Sequence, residues 1–241
     1  MTTPIKAVTS ALLLLLAPIG SWAASLEVNI GFDGSGFIIH QEVKSIQEIQ
    51  RRNVVMQERD YSCGSAALAT LFNYYLRDQV EEPEIINTLL KLNEEKGTLE
   101  KVIERKGFSL LDLKYFAEHR NFKATGFRLG FEDLVKLGVP AIVPIIPRGY
   151  KHFVVFRGAD KDRVFMADPS IGNISQPIEQ FKKDWYGFAN VALVVIPPGG
   201  EKPDGHPLSL SDMDLLFIGQ DDVSSILDRP EPFIFLNPGE F

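Results

Sequence analysis

Apolar residues recur along this chain with two different periods, and the change from one to the other falls near the middle. Over 62–75, Leu68, Leu71, Phe72 and Tyr75 are spaced by three and four, with Ala66, Ala67 and Ala69 among them. That spacing predicts an amphipathic helix whose small residues permit close packing. Pro83 predicts the first turn of a second helix over 83–93, because a first turn has no use for the missing N–H. Ser109 stands as N-cap to 110–120, where Leu110, Leu113, Phe116 and Ala117 share one face, and 131–137 predicts a further amphipathic helix ended by Gly138. Beyond this point the period shortens. Residues 141–146 form a continuous apolar run, as in a buried strand. Segments 152–158 and 163–168 flank a short polar turn and predict an antiparallel hairpin, and 188–196 closes the sheet. Helices first and a mostly antiparallel sheet second predict an α+β fold of two segregated parts with a cleft between them.

The two ends follow other rules. Lys6 is the only charge ahead of the apolar run 11–19, and Ser21 and Ala23 hold the small-residue positions of a cleavage site before Ala24. This predicts a secretory signal peptide over 1–23, too short to be a membrane-spanning helix and leaving a chain that does not span the membrane once it is removed. Residues 24–53 read as an N-terminal extension, with a short strand at 26–30, a glycine-rich loop at 31–36 and a second extended piece at 53–56. The domain is expected over 54–196. Pro197-Pro198-Gly199-Gly200, with Pro203, Gly205 and Pro207, predicts a linker, and 197–241 as a whole a peripheral tail in which Arg229 is the only base after 207.

Charge narrows the partners. The chain carries a net charge of −7, or −8 without Lys6. That balance disfavours nucleic acid and anionic membrane surfaces as partners. A hydrophobic content of 45% with 17 Phe predicts a packed core rather than a disordered chain.

The chain has one cysteine, Cys63. Behind an export signal such a thiol has no disulfide partner within the chain, and is a liability unless it is used. A thiol attacks a carbonyl as thiolate, so it needs a base and a site that favours the anion. The start of the 62–75 helix favours the anion. Of the four histidines, His40 lies in a polar segment, His206 in the Pro/Gly tail, and His119 near a helix end that favours cations anyway. His152 opens a buried strand directly after a loop, where catalytic groups are often held. Asp168 ends the partner strand, near the same end of the ladder, and is placed to orient the imidazole. Gln57, six residues ahead of Cys63, supplies a side-chain amide to join the Cys63 backbone N–H in an oxyanion hole. Asp60 and Ser62 read as turn and helix-cap residues. One cysteine and four scattered histidines offer no metal-ligand spacing, so neither a metal nor another cofactor is expected.

Gln57-x5-Cys63-Gly64-x-Ala66, His152-Phe153-Val154-Val155 and Asp168-Pro169-x-x-Gly172 together resemble the papain-like peptidase domain of bacteriocin-processing ABC transporters, which cleaves double-glycine leader peptides. The stretch 107–113 resembles the helix that follows the nucleophile region in that family. The resemblance spans roughly 54–196. It implies Cys63 as nucleophile, His152 as general base and acid, Asp168 as orienting carboxylate and Gln57 as oxyanion donor. Many family members carry Asp immediately before the cysteine, where this chain has Ser62. No transporter or nucleotide-binding domain accompanies the motifs, so ATP is not an expected partner. The expectation is a stand-alone periplasmic cysteine endopeptidase serving a secretion or functional-amyloid system, acting on an extended, Gly-containing polypeptide in the cell envelope. The competing readings are an idle relative that binds clients, and a cell-wall amidase or acyltransferase with the same triad.

Overall fold

The computed structural model describes residues 24–30, 37–43, 45–187 and 189–210. The expected signal peptide, the loop at 31–36 and residues 211–241 lie outside the described residues. Two compact units are present, 1–45 and 46–241. The first contains a hairpin of β1 (Ala24–Ile30) and β2 (Phe37–Val43), antiparallel from Ala24↔Val43 to Ile30↔Phe37.

The second unit opens with α1 (Ile46–Arg51) and a stretch, 54–57, that joins no ladder. The extended piece expected at 53–56 is therefore not a sheet strand. It is held from the side, by Val55 N–H donating to Thr70 Oγ1 at 2.9 Å. Next comes α2 (Cys63–Leu71), in which every residue is buried. The small residues explain how a helix can be covered on all sides. A Cβ built on Gly64 stands 3.2 Å from Phe153 Cδ2 and 3.4 Å from Leu113 Cδ1, so even one methyl would require the Phe153 ring to shift. The helix passes into a π-turn over Phe72–Leu76, ended by Arg77 in the left-handed region.

Further helices come next: α3 (Glu82–Glu95), α4 (Leu99–Arg105) and α5 (Leu110–His119). Pro83 sits in the first turn of α3 as expected, and Ser109 caps α5 in a reciprocal box with Asp112. A six-stranded antiparallel sheet carries the rest: β3 (Lys123–Arg128), β4 (Ala141–Ile145), β5 (His152–Asp160), β6 (Arg163–Asp168), β7 (Gly172–Pro177) and β8 (Val191–Ile196), in the order β3-β8-β4-β5-β6-β7. Two helices interrupt it, α6 (Phe131–Lys136) and α7 (Ile178–Tyr186). Helical segment and sheet thus occupy the order the periodicity predicts, an α+β fold. Their common core joins Leu68, Leu71 and Phe72 to Ile142, Val155 and Leu193. Among the described residues no helix is long and apolar enough to cross a membrane.

The first part of the tail is not loose. After β8 the chain returns to the domain and buries Leu208 completely. Arg157, on β5 and itself buried, donates to the carbonyls of Leu208 (Nε, 3.1 Å) and Pro207 (Nη2, 2.8 Å). Its Nη1 donates to Asn173 Oδ1. Asn173 in turn donates to the Gln50 and Arg52 carbonyls at 3.1 and 2.7 Å, fastening α1 against β7. Pro and Gly in 197–207 signalled a break in regular structure, and the break is real; one buried leucine and one buried guanidinium nonetheless dock the chain at its far end.

Candidate active site

Cys63 is the first residue of α2, and its thiol is buried at 8% exposure. Ser62 holds the N-cap position, but its hydroxyl does not cap the helix. It turns back and donates to the Arg59 carbonyl at 2.8 Å while accepting from Arg59 N–H at 3.2 Å, which closes the tight turn containing Asp60. The cap expectation for Ser62 therefore fails: the turn ahead of the helix competes for the same hydroxyl.

His152 begins β5 and Asp168 ends β6. The ladder between these strands slips at a bulge between Phe156 and Gly158, and at its other end the two side chains meet, with His152 Nε2 2.8 Å from Asp168 Oδ1. Both residues are 5% exposed, so the contact is shielded from water. With Nε2 engaged by the carboxylate, Nδ1 is the nitrogen left for the thiol; it is buried and makes no hydrogen bond of ordinary length. Burial is the strongest influence on the ring and pushes its pKa down. The Asp168 hydrogen bond, a hydrogen-bonding interaction with Cys63 and the charges of both partners outweigh it and lift His152 to about 10. A protonated imidazole between a carboxylate and a sulfur is thus the favoured state at neutral pH. This arrangement suits attack by sulfur on a carbonyl, with a proton then available for a leaving group.

Gln57 is tied to the loop that follows Asp168. Its backbone N–H donates to the Pro169 carbonyl at 2.8 Å, its Oε1 accepts from Ser170 Oγ at 2.9 Å and its Nε2 donates to the Arg59 carbonyl at 3.0 Å. Since an amide nitrogen carries two hydrogens, one N–H remains for another acceptor. Glu82, buried at the start of α3, accepts from Glu58 N–H at 3.0 Å and steadies the neighbouring residue. All four residues singled out in the sequence therefore fall around one place. The groove lined by Phe131, Pro177, Ile178 and Lys182 contains none of them.

The sequence reading missed Tyr150. Its hydroxyl donates to the Asp60 carbonyl at 3.0 Å and its ring lies 5.9 Å from that of His152, tilted by 35°. It thus joins the loop ahead of His152 to the loop ahead of Cys63. Burial first, then the charges of Cys63, Asp60 and Asp168, raise its pKa above the ordinary tyrosine value. Only its position two residues before His152 hinted at this. Among the described residues no group of three or more His, Cys, Asp or Glu is arranged to hold a metal ion.

The chain is similar to known proteins. The Peptidase C39 family matches residues 51–197. A Pseudomonas fluorescens protein described as "Probable functional amyloid protease FapD" is 34% identical over 94% of this chain and 86% of its own. The Pseudomonas aeruginosa protein of the same description is 33% identical over 81% of each. Among solved structures, a double glycine motif protease from an AMS/PCAT transporter in complex with the leader peptide is 26% identical, covering 60% of this chain and 90% of that one with a TM-score of 0.47. The peptidase domain of Streptococcus ComA is 20% identical, covering 60% and 97%, with a TM-score of 0.48. A match across most of the α2-to-β8 unit, with a thiol, an imidazole and a carboxylate converging within it, makes this chain a cysteine peptidase belonging to the Peptidase C39 family.

Proposed function

We propose that the chain is a periplasmic cysteine endopeptidase that cuts an extended, Gly-containing segment of an exported protein in a functional-amyloid secretion system. The observation that carries the reading is the buried His152–Asp168 contact, with the remaining ring nitrogen left for Cys63. The amyloid setting rests on the two FapD relatives. The compartment rests on the signal-peptide pattern of 1–23.

In this mechanism the Cys63 sulfur forms a bond to the scissile carbonyl carbon. The carbonyl oxygen becomes an oxyanion facing the Cys63 backbone N–H and the free N–H of Gln57. Collapse breaks the C–N bond, and the departing amine takes the proton held by His152. Acylation removes the sulfur's negative charge, one of the supports for the raised His152 pKa, so the ring gives up its proton more readily at the step that needs it. A water then transfers a proton to His152 and attacks the thioester, and the sulfur leaves as thiolate, which regenerates the thiolate–imidazolium pair. Asp168 keeps the ring oriented throughout.

The test uses purified protein and a library of Gly-containing peptides, read by mass spectrometry, with Cys63→Ala as control. Cleavage by wild type but not the variant, with a trapped acyl-enzyme on Cys63, supports the reading. Rapid alkylation of Cys63 without cleavage of any peptide moves the assignment to client binding. Hydrolysis confined to peptidoglycan fragments moves it to cell-wall chemistry.

A further inference from the structure

We infer that Ser170 is a positioning residue that locks the Gln57 amide in the orientation needed to receive an oxyanion and couples it to the Asp168 carboxylate. The inference rests on the peptidase reading. Asp168 and Gly172 are paired across β6 and β7, leaving Pro169, Ser170 and Ile171 as the loop between them. Pro169 has no N–H, so Ser170 carries the first one after the carboxylate. It donates to Asp168 Oδ1 at 2.7 Å, the same oxygen that contacts His152. The Ser170 hydroxyl points the opposite way, to Gln57 Oε1 at 2.9 Å. One residue thus contacts both arms of the site.

The direction of the amide is fixed by its surroundings. The Arg59 carbonyl can only accept, so it requires Nε2 on its side; it also receives the N–H and hydroxyl of Ser62. With Nε2 committed there, Oε1 faces Ser170, whose hydroxyl is the donor that satisfies it. The loop can approach this closely because it is anchored behind. Gly172 adopts a φ of +99°, and a Cβ there would stand 2.4 Å from the Gln50 carbonyl oxygen of α1. Asn173, the next residue, donates to that same carbonyl. Pro169 and Ser170 therefore present a fixed acceptor and a fixed donor to Gln57. Removing the hydroxyl leaves the Ser170 backbone N–H on Asp168 intact, so the two functions separate by mutation.

The experiment applies two small probes to the same thiol. Iodoacetamide is attacked at a saturated carbon and develops no oxyanion. p-Nitrophenyl acetate forms a thioester through a tetrahedral oxyanion, releasing p-nitrophenolate. The ratio of acylation to alkylation therefore reads the oxyanion donors and needs no knowledge of the natural substrate. Full loss of such a donor costs about 100-fold or more, and Ser170→Ala, which only loosens one, is expected to lower the ratio about fivefold to tenfold. The pH profile of alkylation should stay that of wild type, because the His152–Asp168 contact remains. Ser170→Thr should restore the ratio. Gln57→Ala should lower it further, and Gln57→Ala with Ser170→Ala should be no worse than Gln57→Ala alone. An unchanged ratio in Ser170→Ala, a parallel fall in both reactions, or additive losses in the double variant would overturn the assignment. Wild-type Cys63 alkylating as an ordinary thiol would instead overturn the peptidase reading beneath it.

Discussion

The two arms of the site are built by different means. His152 and Asp168 stand on adjacent strands of a hairpin, where the ladder brings their side chains together. Gln57 stands on 54–57, which has no ladder and is fixed by single contacts from Thr70, Pro169 and Ser170, with Glu82 holding its neighbour. Backbone pairing spreads any loss over many bonds, whereas a segment held at points loses its position when one point goes. The proton-transfer arm should therefore fail only through its own chemistry, and the amide arm through residues that never meet substrate.

The largest effect expected from this contrast is on the hairpin arm. Asp168→Asn keeps the shape but removes the charge that supports the protonated ring, and should cut peptide turnover by about 10²- to 10⁴-fold. Alkylation at acid pH should fall with it, as measured by iodoacetamide profiles. Equal alkylation in the variant would break the comparison. Stability should also bear the mark of this arm. His152 binds its proton more tightly folded than unfolded, since its pKa rises from 6.5 to about 10. Its contribution is complete below about pH 6.5 and disappears as the pH climbs through 10. Melting temperature should accordingly decline between pH 7 and 10 more steeply in wild type than in His152→Ala, and parallel curves would contradict the shift.

Smaller effects sharpen the other side. Thr70→Val leaves the Val55 N–H without a partner and should cost about 1–2 kcal/mol by denaturant titration. The ratio of acylation to alkylation should drop several-fold while the alkylation profile holds. Tyr150→Phe removes the hydrogen bond that joins the two loops and keeps the ring, for a loss of about 0.5–1 kcal/mol, because the contact is partly open to water. Its readout is a modest Tm shift with unchanged alkylation at neutral pH.

The legibility of the molecule divides along the same line. The helix after Ser109 and the apolar hairpin were visible because burial imposes a period on a helix or strand, and the 68-71-72-75 spacing because large residues recur among alanines in a helix covered on all sides. His152 and Asp168 were visible because a hairpin has ends. Six elements were not: β2, α1, α4, β3, β7 and α7. The burial of β3 shows why, since Ala124 alone of its six residues is buried and edge pairing, not an apolar face, makes it a strand. Strand β7 is similarly polar and depends on β6. Helix α7 did carry a signal, Ile178, Phe181 and Trp185 at three and four, masked by the polar residues between them. Ser170, Glu82 and Tyr150 belong to no motif, because each acts through a main-chain group or an amide that any of several neighbours could have served.

Arg157 and Leu208 carry a consequence for where this protein stops being divisible. The stretch that matches the family closes with β8 at about residue 197, yet a chain cut there would take from Arg157 the carbonyls of Pro207 and Leu208 and leave an apolar hollow where Leu208 had been. The same guanidinium reaches Asn173 and, through it, the helix that precedes the whole site. The family's own stretch is the sheet and its nucleophile helix, while the packing around it also takes in a short return of chain.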